Sequence, residues 1–105
     1  MKLNKKIDNT TDRLTVILSG DLTGKGAMDL KRDLFHLLEE RQQECYIDIR
    51  NLNSIDITGV NTLTMAHRKA NAIGERLVLL SKANHPAKEF MYLTKLQDYF
   101  NVELV

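Results

Sequence analysis

The segment that decides the fold is "CYIDIRNLNSIDITGVNTLTMAHRKANAIG", residues 45–74, because its periodicity changes part-way along. Ile47 and Ile49 alternate with other residue types, which is the pattern of a β-strand. From Thr58 the apolar residues recur at spacings of three and four, which predicts a helix that stops at Gly74. An acid, a hydroxyl and a glycine, Asp56, Thr58 and Gly59, lie at the junction of the strand and the helix.

Two strands and a helix are predicted before this segment. "RLTVILSG" (13–20) predicts a strand through Leu18, and "KLNKKID" (2–8) a short edge strand joined to it as a hairpin. The apolar stripe of "AMDLKRDLFHLLEERQQ" (27–43) predicts a helix.

The pattern after the segment continues in the same way. "RLVLLS" (76–81) reads as a strand covered on both faces, and "FNVELV" (100–105) as a last strand. Between them, Pro86 fits the first turn of a third helix, which would turn Ala87, Phe90, Met91 and Leu93 towards the core. The order β-β-α-β-α-β-α-β predicts an α/β fold, a mixed and mostly parallel sheet of four to five strands covered by three to four helices. In such sheets sites lie beyond the carboxyl ends of the strands, here the loops "GDLTGKG" (20–26) and "NLNSIDITG" (51–59).

Composition limits the classes of function that suit this chain. The 105 residues suit one domain, 1–105, and a net charge of +1 argues against a nucleic-acid partner. No run approaches the length of a membrane span and the N-terminus is polar, so we expect a cytoplasmic protein. A lone cysteine, Cys45, predicts a buried structural thiol. His36 and His67 are interpreted as helix-surface or boundary residues, and no spacing predicts a metal or a cofactor.

The first loop imitates a phosphate-binding loop without matching one. Three residues, rather than four, separate Gly20 from Gly24, and Gly26 follows Lys25 where a hydroxyl is needed. Glycines that let the chain turn into a helix are the better interpretation, and no catalytic constellation is visible elsewhere.

Thr58 has two interpretations on the residues alone. Its hydroxyl can cap the helix and do nothing else. Alternatively, it is a phosphate acceptor, because a helix N-terminus tolerates a phosphate and the added charge would lie beside Asp56 and Asp21.

Four segments of the chain together resemble the STAS domain family, in particular its anti-sigma factor antagonists. They are "VILSGDL" (16–22), "IDIRNLNSIDITGV" (47–60), "LVLLSKAN" (77–84) and "MYLTKLQDYF" (91–100), so the resemblance covers about residues 14–100. It implies a protein that is not an enzyme but a switch. Such an antagonist binds a serine/threonine kinase that is also the anti-sigma factor, is released when phosphorylated, and is restored by a phosphatase.

The resemblance also implies the site residues. Thr58 matches the phosphoacceptor, and Asp48 matches the strand acid, interpreted as a supporting loop acid. The implied partner face comprises Asp21, Asp56, Ile57, Gly59, Val60 and Asn61. Ile57 departs from the family, which often has serine there, and threonine replaces serine at the acceptor.

Threonine also leaves an alternative open, because STAS domains serve as cytoplasmic subunits of lipid-transporting ABC systems. In that case Thr58 would be a cap or contact residue. A third hypothesis is small-ligand or nucleotide sensing at the two loops. The oligomeric state is left open between a monomer and a weak dimer.

Overall fold

The structure, a computed structural model, describes residues 2–9, 13–40, 44–82 and 101–104. These residues form five strands and two helices in one α/β domain. The strands are β1 (Asn4–Asn9), β2 (Arg13–Leu22), β3 (Glu44–Ile55), β4 (Leu77–Ser81) and β5 (Asn101–Leu104). The helices are α1 (Gly24–Glu40), between β2 and β3, and α2 (Ile57–Ala72), between β3 and β4.

The five strands lie side by side in chain order as a single mixed sheet. β1 runs antiparallel to β2, whereas the β2–β3, β3–β4 and β4–β5 pairs are parallel. The predicted sheet, its N-terminal hairpin and its last strand are therefore confirmed. The helix predicted from Pro86 lies outside the described residues.

The hydrophobic core lies between one face of the sheet and the two helices. Both crossovers move in the same direction across the sheet, so right-handed connections place α1 and α2 on the same face. Residues of α1 at helical spacing, Ala27, Leu30, Leu34 and Leu38, pack in one cluster with Val16 and Ile47 of the sheet. The apolar stripe predicted from the sequence is this buried face.

Both strands that precede a helix are longer than predicted. β2 continues past Leu18 to Leu22, and β3 continues to Ile55. A single residue therefore separates each strand from its helix, Thr23 between β2 and α1 and Asp56 between β3 and α2. The reason is that the two strand ends pair with each other, with Asp21 opposite Ser54 and Leu22 opposite Ile55. Two register shifts earlier in the β2–β3 pair bring these residues opposite each other. Backbone pairing here continues through polar residues whose composition favours a loop.

The end of α2 was predicted correctly. Gly74 has a φ of 79°, a left-handed conformation that glycine adopts without strain. The Glu75 N–H donates to the Ala70 carbonyl oxygen at 2.8 Å and so satisfies a free carbonyl of the last turn.

Candidate functional site

The candidate site lies where the paired ends of β2 and β3 lead into the two helices. The Ser54 hydroxyl donates to the Asp21 carboxylate at 2.9 Å, and the Asp56 N–H donates to the Leu22 carbonyl oxygen at 3.3 Å. These contacts hold the starts of α1 and α2 next to each other at the carboxyl edge of the sheet. The sequence predicted this edge as the site.

One carboxylate caps both helices. Asp56 has extended backbone angles, and its Oδ1 accepts from the Gly59 N–H at 2.8 Å, which makes it the N-cap of α2. Its Oδ2 accepts from the N–H of Gly24, the first residue of α1, at 3.1 Å. The cap is therefore Asp56 rather than Thr58, and the interpretation of Thr58 as the capping residue is wrong.

Thr58 occupies the second position of α2 and is partly exposed. Within the described part of the chain its hydroxyl has no hydrogen-bond partner. The other two threonines of α2 differ: Thr62 donates to the Ala27 carbonyl oxygen at 2.8 Å and Thr64 to the Val60 carbonyl oxygen at 3.0 Å. Of the three threonine hydroxyls of α2, that of Thr58 alone makes no hydrogen bond among the described residues.

The residues around Thr58 divide into exposed and buried. Ile57 is 58% exposed and Asn61 is exposed, whereas Gly59 and Val60 are buried. A Cβ on Gly59 would lie 2.1 Å from the Leu22 carbonyl oxygen, so a side chain there would push α2 away from β2. Gly59 and Val60 are thus packed inside the fold, and Gly59 allows the helix to lie close against the sheet.

Asp48 is not part of this edge of the sheet. It lies within β3, on the face opposite Ile47 and Ile49, and is 3% exposed. Arg50 donates to its carboxylate from Nε at 3.0 Å and from Nη2 at 2.7 Å. These hydrogen bonds hold the pKa of Asp48 below its ordinary value. Asp48 therefore lies in a strand and not in a loop, paired with arginine, and its supporting role at the site stays a prediction.

Sequence reasoning missed Met28, whose side chain is 63% exposed. Met28 follows Gly24 by four residues and precedes Phe35 by seven, which places it on the same row of α1. Gly24 contacts the cap of α2, and the Phe35 ring lies 5.9 Å from Nζ of Lys69 on α2, so this row faces α2. The signal available in the sequence was that Met28 directly follows Ala27 and so lies just off the buried stripe of α1.

Thr58 lies on the side of α2 that faces α1. It precedes Thr62 by four residues, and Thr62 contacts α1 through the Ala27 carbonyl oxygen. Two exposed apolar side chains accompany Thr58 on these first turns, Ile57 on α2 and Met28 on α1.

A second feature of the same edge is a cleft of about 530 Å³ beside α1. Among the described residues, its charged lining comprises three lysines and three aspartates, Lys2, Lys5, Lys25, Asp21, Asp29 and Asp33. Lys5 and Asp33 form an ion pair.

The cysteine and the two histidines singled out from the sequence differ in burial. Cys45 is buried as predicted, and burial raises the pKa of its thiol to about 12. His36 is exposed as predicted. His67 is 6% exposed, so its interpretation as a surface or boundary residue is wrong, and burial lowers its pKa. Among the described residues no three histidine, cysteine, aspartate or glutamate side chains are grouped to hold a metal ion. None of the helices described is long and apolar enough to cross a membrane.

Comparison with known proteins assigns the chain to a protein family. A family model described as "Mlab, STAS domain" matches residues 6–102. The chain belongs to the STAS domain family. The resemblance to this family is thereby confirmed. A comparison with curated protein sequences found no match.

Solved structures share the STAS fold of this chain. An anti-sigma factor antagonist from Mycobacterium paratuberculosis superposes with a TM-score of 0.86 at 13% identity, over 99% of this chain and 87% of that one. The antagonist SpoIIAA in its unphosphorylated form gives 0.75 at 14% identity, over 97% and 89%. The phosphorylated form of SpoIIAA, a Bacillus cell fate determinant, gives 0.72 at 14% identity, over 95% and 91%. At these identities the likeness establishes the fold.

Proposed function

We propose that this STAS protein is a partner-switching regulator of the anti-sigma factor antagonist type, switched by phosphorylation of Thr58. The observation that carries the proposal is the state of the Thr58 hydroxyl. It is accessible at the carboxyl edge of the sheet, and it has neither the capping role nor a hydrogen-bond partner among the described residues. A kinase can therefore modify it without breaking a contact that the described fold uses.

The surroundings explain how a phosphate would act. The first-turn N–H groups of α2 favour an anion, so phospho-Thr58 is compatible with the folded helix. The phosphate would nevertheless add close to two negative charges beside the carboxylate of Asp56. A partner that packs on Ile57 and Asn61 would then meet a charged, hydrated group in place of a hydroxyl. SpoIIAA, which has this fold, has been solved in both phosphorylated and unphosphorylated forms.

In this proposal the partner is a serine/threonine kinase that also acts as an anti-sigma factor, and a phosphatase reverses the modification. The chain acts as substrate and binding protein and not as the catalyst. Its partner face comprises the exposed Ile57 and Asn61 around Thr58, with Asp21 at the adjoining strand end. Asp56, Gly59 and Val60 hold this face in place.

The experiment is phosphorylation by the cognate kinase with ATP, followed by mass spectrometry. One phosphate is expected, on Thr58, and none on Thr58→Ala. Thr58→Ser is expected to remain a substrate. Thr64→Ala is the matched control, because its hydroxyl is already bound to the Val60 carbonyl oxygen. Undiminished phosphate on Thr58→Ala would reject the site, and unchanged kinase affinity of Thr58→Glu would reject the switch.

A second function, a constitutive cytoplasmic subunit of a lipid-transporting ABC system, is favoured by a different observation. Ile57, next to Thr58 in the chain, and Met28 of α1 are 58% and 63% exposed, and exposed apolar side chains suit a lasting contact. The matching family model is also described as "Mlab". Stable co-purification with an ATPase subunit, equally for Thr58→Ala and Thr58→Ser, would support this function over the switch.

A further inference from the structure

Within the part of the chain that the structure describes, the outer edge of β1 is unpaired. The sheet order begins with β1, so one side pairs with β2 and no described strand pairs with the other. Such an edge presents unpaired N–H and C=O groups that can accept a further strand. All the residues of 4–8 are exposed.

The register with β2 assigns the side chains of β1 to the two faces. Ile7 lies opposite Val16, a core residue on the helix-covered face, so Ile7 points to that side; it is nevertheless 42% exposed. Lys6 and Asp8 lie opposite Ile17 and Thr15 and point to the other face. Among the described residues neither Lys6 nor Asp8 has a side-chain ion pair or hydrogen bond.

We propose that β1 pairs antiparallel with β1 of a second copy of this chain, about a two-fold axis through Ile7. The two five-stranded sheets then join into one continuous sheet. Ile7 meets Ile7 of the second copy, and each Lys6 meets the Asp8 of the other copy.

Symmetry and charge together select this register. A two-fold axis perpendicular to the sheet pairs residues whose side chains point to the same face. One residue of β1 must therefore lie opposite its own copy, and the axis passes between these two residues. An axis described below as passing through a residue is one that pairs this residue with its copy. An axis through Lys6 would oppose two lysines, and an axis through Asp8 would oppose two aspartates. Of these three, the axis through Ile7 alone joins opposite charges, and it covers an exposed apolar side chain in the same step.

The partner is a second copy rather than an unrelated strand because the pattern of β1 is complementary to itself. Lys5 does not interfere, since it points to the helix side, where it forms its ion pair with Asp33 of α1. A strand of six residues in each copy makes a small interface, so the dimer forms reversibly with rising concentration. The axis reverses the strand direction, and the two Thr58 surfaces therefore lie at opposite ends of the joined sheet.

Sedimentation velocity over a wide range of protein concentration tests the dimer. The unmodified chain is expected to dimerise as its concentration rises, and Lys6→Asp or Asp8→Lys to weaken the dimer about tenfold, because each creates two like-charge contacts. Lys82→Asp, an exposed charge reversal away from β1, is the control and is expected to change nothing.

Two further samples test the register. The double variant Lys6→Asp/Asp8→Lys is expected to recover the dimer, because opposite charges face each other again. An equimolar mixture of the two single variants is expected to form a heterodimer. Thermal unfolding checks that each variant is folded. A monomer at every concentration, a dimer indifferent to the single reversals, or a double variant that does not recover would each overturn the proposal.

Discussion

Replacing Asp56 by alanine is expected to destabilise the protein more than any other substitution of an aspartate at the site. Its two carboxylate oxygens accept from the Gly59 and Gly24 N–H groups at 2.8 and 3.1 Å. The alanine variant therefore leaves the first turns of α1 and α2 without their shared acceptor. Both helices lose their fixed position at the edge of the sheet.

The size of the effect follows from the two contacts. Loss of an N-cap costs about 1 kcal/mol, and loss of a hydrogen bond to a charged acceptor costs about 1.5 kcal/mol at an exposed position. The free energy of unfolding is thus expected to fall by about 2.5 kcal/mol. Asp56→Asn keeps one acceptor oxygen and turns an amide donor towards the other N–H, so it is expected to lose roughly half as much.

Urea unfolding followed by circular dichroism measures this loss. With a slope of about 1.5 kcal/mol per molar urea, the midpoint of Asp56→Ala is expected to fall by about 1.5 to 2 M. Asp29→Ala is the matched control, because the Asp29 carboxylate makes an exposed contact of 3.9 Å with Arg32 and a change within about 0.5 kcal/mol is expected. Equal midpoints for the two alanine variants would refute the shared cap.

Three other outcomes are expected. Gly59→Ala should lower the unfolding free energy by at least about 2 kcal/mol in the same urea experiment, because its Cβ would collide with the backbone of β2. The Cys45 thiol, with its pKa raised to about 12 by burial, should react with a thiol reagent at neutral pH only after urea unfolds the chain; rapid reaction of the native protein would contradict its burial. The Arg50 hydrogen bonds depress the folded-state pKa of Asp48 below the unfolded value of about 3.9, so their stabilisation is complete above that pH and is lost as the pH falls through the folded pKa. Asp48→Asn should therefore flatten the loss of stability below about pH 4 in acid titrations, and an unchanged slope would rule out this linkage.

The sequence predicted the features that depend on periodicity. The helix stripe from Leu30 to Leu38, the alternation around Ile47 and the glycine stop at Gly74 each express a local pattern that the structure repeats. The position of Thr58 at the carboxyl edge of the sheet followed from the order of these elements.

The features that the sequence did not reveal depend on contacts distant along the chain. Asp56 could be seen as an acid near a helix start, but its bond to Gly24, 32 residues away, requires the paired ends of β2 and β3. His67 was interpreted as a surface or boundary residue because, in the sequence, a buried polar side chain on a helix cannot be told from an exposed one. Met28 lies next to the buried stripe of α1, and its exposure depends on how closely α2 approaches.

The shared cap separates the residues that a protein engineer can vary from those that must stay. Asp56, Gly59 and Val60 are committed to fixing the helices against the sheet. Ile57 and Asn61 are exposed and belong to the same first turns of α2, so a library randomised at these two positions would present new chemistry on an unchanged backbone. Selection from such a library could create a binding surface for a chosen protein while Thr58 between them stays at the same place.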